Sequence, residues 1–376
     1  MKYKKVELKP DEKACLEIRG LYEQFGYKKY KMGKFEEYSL YVENKDFIAG
    51  DKVITFTDLD GRLLALKPDV TLSIIKNSRA TIQTNEKLYY IENVYRESTE
   101  SHTFTEISQM GLEYIGKVDN YVITEVLSLA ALTLKNISKD YILELSHMSF
   151  VVELLKSLQV SENVKHRLIR LIRSKNADGI RKEAEASDLS TEQIKTLCKL
   201  PYLYGNIEKV VAEARTIPLS QKMDAALDQL EEVYAAVKES GCGKNIQLDL
   251  SMVNDIDYYN GIVFKGYIKA LGSTVLAGGQ YDQAMAILGK KVDAIGFALY
   301  LNELGRIVKE KKEYDVDAII LYKCKESLTE IAKAVQSLQQ KGLSVRAEKA
   351  YPKGLRYKDC YRLVDGELIK EEGTSC

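Results

Sequence analysis

The sequence predicts an α+β fold: an antiparallel sheet with helices packed on it, a helical insertion, and a small C-terminal appendage. Three observations carry this. Strand-like segments separated by turn residues occupy residues 53–115 and return at 247–299. Between them, residues 150–240 switch to helical periodicity, with few glycines and proline breaks at Pro201 and Pro218. After about residue 313 a short β-α-β pattern begins, without the length of a complete α/β domain. The expected organisation is a core at 1–312, with its helical insertion at about 150–240, and a shortened unit at 313–376.

The elements follow in order. Residues 10–26 read as an amphipathic helix, with Ala14, Ile18, Leu21, Tyr22 and Phe25 on one stripe and Gly26 as the stop. Residues 53–57 and 62–67 flank Asp60-Gly61, a hairpin signal. Pro68 is expected to open a short helix running to about Asn77. Residues 87–96 and 104–115 read as two long strands, and 120–134 as a helix. Later strands are expected at 247–250, 258–268 and 294–299, with a glycine-rich turn at Gly278-Gly279. The appendage reads as strand (317–322), helix (326–341), strand (344–348) and a final hairpin around Asp365-Gly366.

Composition excludes several classes. Hydrophobic residues make up 45% and charged residues 29%, the balance of a globular protein. No apolar stretch approaches the roughly 18–20 residues that span a bilayer. The first ten residues carry four lysines and no apolar segment of the secretory kind, so a cytoplasmic location is expected. Lys+Arg and Asp+Glu both number 55, which leaves no broad electrostatic attraction to nucleic acid. The six cysteines contain no C-x-x-C pair, and the three histidines, His102, His147 and His166, are dispersed. Neither a metal site nor a disulfide framework is expected.

One strand draws the eye as a binding surface. Side chains alternate along a strand, so Phe104, Met110, Leu112 and Tyr114 share one face while Thr105, Ile107, Gln109, Gly111 and Glu113 share the other. Gln109 and Glu113 point the same way across a glycine that leaves room for a ligand or another backbone; a solvated polar face is the plainer alternative. The preceding strand presents Tyr90, Glu92, Val94 and Arg96 on one face. Paired strands would bring Arg96, a planar fork for a carboxylate, near Gln109 and Glu113. That set suits a free amino acid; alternatively, Arg96 pairs with a glutamate. Asp69 sits at a helix start, where an acid is favourable against the helix dipole without any function.

Several segments together resemble a family. Leu66-Lys67-Pro68-Asp69-Val70-Thr71 is similar to the "L-R-P-E-G-T" segment of histidyl-tRNA synthetases. Val94-Tyr95-Arg96-Glu97 and Gln109-Met110-Gly111-Leu112-Glu113 resemble the second signature motif of class II synthetases and the strand after it. Asp257-Tyr258-Tyr259-Asn260-Gly261 resembles "L-D-Y-Y-x-G", Ala277-Gly278-Gly279-Gln280-Tyr281-Asp282 resembles "A-G-G-R-Y-D", and Ala294-Ile295-Gly296-Phe297-Ala298 resembles the third signature motif. They occur in family order across about residues 10–310. The resemblance implies a class II aminoacyl-tRNA-synthetase-like sheet with a truncated anticodon-binding-like unit behind it.

Departures from the synthetase pattern point to the regulatory branch of that family, the subunits of ATP phosphoribosyltransferase. Asn254 stands where synthetases carry a catalytic arginine. The third motif ends Tyr300-Leu301-Asn302-Glu303-Leu304 against "G-x-E-R-L", so Glu303 replaces an ATP-holding arginine. The loop 97–106 has no Lys or Arg. Adenylation needs cations on a triphosphate, and each such loss costs roughly 10²–10³ in rate by analogy with oxyanion donors. Leu200-Pro201-Tyr202-Leu203-Tyr204-Gly205 and Asp249 also look like the regulatory branch.

What the resemblance retains is an amino-acid pocket. It implies that Arg96 holds a ligand carboxylate, that Asp69, Thr71 and Gln109 hold an α-amino group, that Glu113, Tyr258 and Tyr259 read an imidazole, and that Tyr281 lines the same site. The expected protein is therefore a non-catalytic subunit, without cofactor or metal, in the first step of L-histidine biosynthesis. Its expected partners are the short-form ATP phosphoribosyltransferase catalytic subunit, which it activates, L-histidine as feedback inhibitor, and a second copy of itself in a homodimer within a hetero-oligomer. No glycine-rich phosphate loop is present, and the charge balance weighs against tRNA. A divergent histidyl-tRNA synthetase stays open as the alternative, as does a paralogue serving another pathway.

Overall fold

The computed structural model describes residues 8, 10–44, 53–98, 101–253, 258–306 and 313–371; Asn254 lies outside them. The chain forms two units, one spanning residues 10–307 and the other carried by residues 308–376.

In the first unit the elements run α1 (Pro10–Gln24), β1 (Lys28–Lys29), β2 (Phe35–Glu37), α2 (Tyr38–Glu43), β3 (Thr55–Thr57), β4 (Leu63–Leu66), α3 (Thr71–Asn77), β5 (Glu86–Glu97), β6 (Phe104–Gly116), α4 (Asn120–Ile137) and β7 (Tyr141–His147). The helical region follows as α5 (Met148–Ser157), α6 (Glu162–Arg173), α7 (Ala177–Ala186), α8 (Thr191–Lys199), β8 (Tyr204–Gly205), α9 (Ile207–Ala214) and α10 (Gln221–Glu239). Strands return as β9 (Ile246–Asp249), β10 (Ile262–Ile268) and β11 (Thr274–Gln280), then α11 (Asp282–Ile287), β12 (Asp293–Tyr300) and α12 (Leu301–Leu304).

The main sheet is ordered β1-β5-β6-β12-β11-β10-β7-β9-β8. Its ladders are antiparallel except β1 on β5 and β7 on β9. One face, with Met110, Leu112 and Tyr114, packs under α4 residues such as Val126, Leu127 and Ala130. The other face carries a smaller cluster in which Tyr90 and Val94 of β5 meet Val70, Ile74, Tyr281 and Met285. A second, small sheet, β2-β4-β3, contains the hairpin read at Asp60-Gly61.

Three expectations need correction. The helix after Pro68 begins only at Thr71; Pro68 stays outside, and the Asp69 carboxylate accepts from Leu72 N at 2.8 Å in the first turn. Gly278-Gly279 is not a turn but the middle of β11, where a Cβ on Gly278 would lie 2.3 Å from Gly296 O and one on Gly279 2.8 Å from the Tyr259 ring. Glycine serves close packing there rather than chain reversal. The strand read at 258–268 begins at Ile262, so Tyr258 and Tyr259 precede it. The helical insertion packs into the core: Leu168, Ile180, Leu197 and Leu227 belong to the same apolar cluster as Leu112 and Phe264, and β8 extends the sheet.

The second unit is a four-stranded sheet ordered β14-β13-β15-β16, from β13 (Val316–Leu321), α13 (Leu328–Gln340), β14 (Val345–Glu348), β15 (Tyr357–Val364) and β16 (Glu367–Glu371). β13 pairs in parallel with β14 and β15. The last hairpin turns at Asp365 (φ 50°) and Gly366 (φ 83°), both in the left-handed region that a two-residue turn of this hand requires.

Candidate ligand-binding site

A cavity of about 150 Å³ lies against the second face of the main sheet. It is lined by Asp69, Thr71, Arg96, Gln109, Glu113, Tyr258, Tyr259 and Tyr281, every site residue read from the sequence, together with residues the sequence reading did not select. Its volume is well below the roughly 300–1,000 Å³ of drug-sized pockets.

Strand register explains the convergence. Glu113 pairs opposite Leu88 on β5 and opposite Gly296 on β12; Gly111 pairs with Tyr90 and Ala298. Gln109 and Glu113 are only 3% and 2% exposed, which eliminates the solvated-face alternative. The room expected above Gly111 is already filled: a Cβ there would lie 2.5 Å from the Tyr90 hydroxyl and 2.4 Å from Phe297 O. Arg96 pairs opposite Thr105, well along the ladder from Glu113, and its guanidinium turns toward the start of α3. There its Nε donates to Pro68 O at 2.7 Å and its Nη2 to Asp69 Oδ2 at 3.3 Å. The alternative of an Arg96–glutamate pair gives way to an aspartate one.

Glu113 is the buried acid of the site. Thr71 Oγ1 donates to its Oε1 at 3.0 Å and Tyr281 OH to its Oε2 at 2.6 Å. Burial pushes its carboxyl up to about 8, with the Asp69 charge adding to the rise, although both hydroxyl bonds pull the other way. The folded state therefore holds this proton more tightly than the unfolded chain. The stability it contributes is complete below the ordinary carboxylate range and is lost as pH rises through about 8. Denaturant titrations are expected to show this as a negative slope approaching ~1.4 kcal/mol per pH unit between those limits, absent in Glu113→Gln. Identical slopes in the two proteins would contradict it.

The aromatic wall is fixed from behind. Tyr258 stacks on Tyr281, with ring centroids 5.6 Å apart, and meets Tyr259 edge-on at 4.6 Å. The loop carrying the pair is tied down by Asp282, whose carboxylate accepts from Asn260 Nδ2 at 2.9 Å, Gln280 Nε2 at 2.7 Å and Ala294 N at 3.1 Å. The same loop is fastened to α5: Ser149 Oγ donates to Asn260 O at 2.9 Å.

The residues missed are Tyr90, Ala277, Gly278, Gly296, Phe297, Ala298 and Tyr300. Strand alternation was the available signal, since Gly296, Ala298 and Tyr300 share a face. Among the described residues lining the cavity, Arg96 is the only cation. Glu303, by contrast, accepts from Ser273 Oγ at 2.7 Å and Arg306 Nη1 at 2.7 Å. No group of His, Cys, Asp and Glu suited to a metal ion occurs among the described residues, and no helix there is long and apolar enough to cross a membrane.

A mostly antiparallel sheet with close-packed glycines at its centre, and a small cavity on the face away from α4, defines a class II synthetase-like core. The family model of histidyl-tRNA synthetase matches residues 5–304. The ATP phosphoribosyltransferase regulatory subunit of Bacillus cereus (strain AH187) is 30% identical over 349 residues, covering 89% of this chain and 81% of that one. Among solved structures, an ATP phosphoribosyltransferase regulatory subunit/histidyl-tRNA synthetase from Bacillus halodurans superposes with a TM-score of 0.77 at 24% identity, over 94% of this chain and 93% of that one. A chain of the ATP phosphoribosyl transferase complex from Thermotoga maritima gives 0.61 at 18%, over 77% and 97%. The chain belongs to the histidyl-tRNA synthetase family, within its branch of ATP phosphoribosyltransferase regulatory subunits.

Proposed function

We propose that this chain acts as the non-catalytic regulatory subunit of ATP phosphoribosyltransferase, and that its cavity is where L-histidine is read. Family membership supports the first part. The second rests on one observation: a single small cavity is lined both by an arginine–aspartate pair and by a buried, hydroxyl-held glutamate among stacked tyrosines.

The chemistry fits a zwitterion. The ligand carboxylate takes the Arg96 fork, and its ammonium takes Asp69, Thr71 and Gln109, so one protein ion pair is exchanged for two protein–ligand pairs. Glu113 meets a ring N–H, and Tyr258 and Tyr259 cover the ring. Buried polar groups left unpaired by other amino acids supply the selectivity. A single cation at the wall is poor provision for a triphosphate, which disfavours the synthetase alternative.

The subunit works with the short catalytic chain, and within that assembly we assign it the form of a homodimer. Feedback requires that histidine bind one state of the assembly better than another, a coupling of roughly 1–3 kcal/mol. The test is reconstitution. Phosphoribosyl transfer by the short catalytic chain is expected to rise when this chain is added and to fall again with histidine. Histidine-dependent pyrophosphate–ATP exchange by this chain alone would overturn the reading in favour of a synthetase.

A further inference from the structure

Tyr300 lines the cavity within reach of the Arg96 charge. Along β12 the face lining the cavity rises from no side chain at Gly296, through a methyl at Ala298, to a phenol at Tyr300. The register sets Tyr300 opposite Gln109. The charges of Arg96 and Asp69 both act on its hydroxyl, which burial holds in its neutral form. Its backbone is fixed, because β12 passes directly into α12, and there Asn302 clamps the edge of β6: its Oδ1 accepts from Ser108 N at 2.6 Å and its Nδ2 donates to Glu106 O at 3.3 Å. The Cα–Cβ direction of Tyr300 toward the cavity is thereby set by the strand.

We propose that Tyr300 is a specificity-determining residue that restricts the site to ligands with a free α-carboxylate, excluding esters, amides and acyl phosphates of the same amino acid. This rests on the histidine reading of the cavity. A free carboxylate fits between the Arg96 fork and the phenol O–H, which donates to it. Any group attached to that carboxyl has to occupy the volume of the Tyr300 ring. The consequence for a sensor is that it responds to the free amino acid and ignores activated or blocked forms.

The test is calorimetry with L-histidine and L-histidine methyl ester on the full chain. Wild type is expected to prefer histidine by at least about 100-fold, a preference that combines charge lost at Arg96 with exclusion by Tyr300. Tyr300→Ala is expected to narrow the ratio by about tenfold or more, through improved ester binding. Tyr300→Phe keeps the bulk and is expected to keep the exclusion while weakening histidine a few-fold. Tyr300→Leu serves in place of Tyr300→Ala where thermal melts show that the alanine variant does not fold. A ratio unchanged in the alanine or leucine variant, with histidine binding intact, overturns the role of Tyr300 alone. Absence of histidine binding to wild type, alone and with the catalytic chain, overturns the site reading and this one with it.

Discussion

Gly296→Ala is expected to abolish ligand binding at the cavity and to lower stability measurably. Gly296 sits in mid-strand between Glu113 on β6 and Gly279 on β11. A Cβ there would lie 1.7 Å from Glu113 Oε2 and 2.4 Å from Leu112 O. The carbonyl belongs to the ladder and cannot move, so the carboxylate must. Displacement breaks its bonds to Thr71 and Tyr281. Overpacking costs roughly 1–3 kcal/mol, and orphaned buried polar groups roughly as much again. Gly20→Ala, with open space around its Cβ, is the control, expected to be neutral or slightly stabilising. Histidine binding by Gly296→Ala within threefold of wild type would refute the placement of Glu113.

Arg96→Ala separates affinity from stability. The arginine is tied to Pro68 O and Asp69, and both members of the ion pair are 20% exposed. Solvent screening at that exposure keeps their mutual contribution to folding at or below about 1 kcal/mol. With a ligand carboxylate enclosed against it, the guanidinium is worth more, roughly 2–5 kcal/mol on truncation. Calorimetry is expected to show a loss of about 10²–10³ in affinity, while the denaturation midpoint moves little. Arg96→Lys is expected to recover only part, since an ammonium lacks the two-pronged geometry. Undiminished affinity in Arg96→Ala would place the carboxylate elsewhere.

Much of this was readable beforehand, for identifiable reasons. Alternation in residues 104–115 puts Gln109 and Glu113 on one face whatever the partner strand, and the structure keeps them there. Asp60-Gly61 and Asp365-Gly366 carry turn chemistry that is local, and both hairpins form. Long-range features escaped. Gly278-Gly279 has the local look of a turn, and only the neighbours β10 and β12 reveal that those positions need small residues for interstrand packing. Gly111 suggested ligand space, but the register with Tyr90 fills it. Tyr300 went unselected because its facing depends on where β12 begins and what it pairs with. Arg96 reaches the cavity through Pro68 and Asp69 rather than across the ladder, a side-chain path that strand periodicity does not encode.

The bonds among the residues lining the cavity also bear on how the proposed sensor would report. Arg96 is engaged by Asp69 and Pro68, and Glu113 by Thr71 and Tyr281. A ligand therefore gains only the difference between its own bonds and those it replaces, and affinity stays moderate. A dissociation constant on the order of 10⁻⁵ M corresponds to about 7 kcal/mol, and moderate affinity of that kind comes with rapid departure. Under the proposed reading, occupancy would then track the rise and fall of a metabolite pool within the lifetime of that change, instead of recording its highest past level.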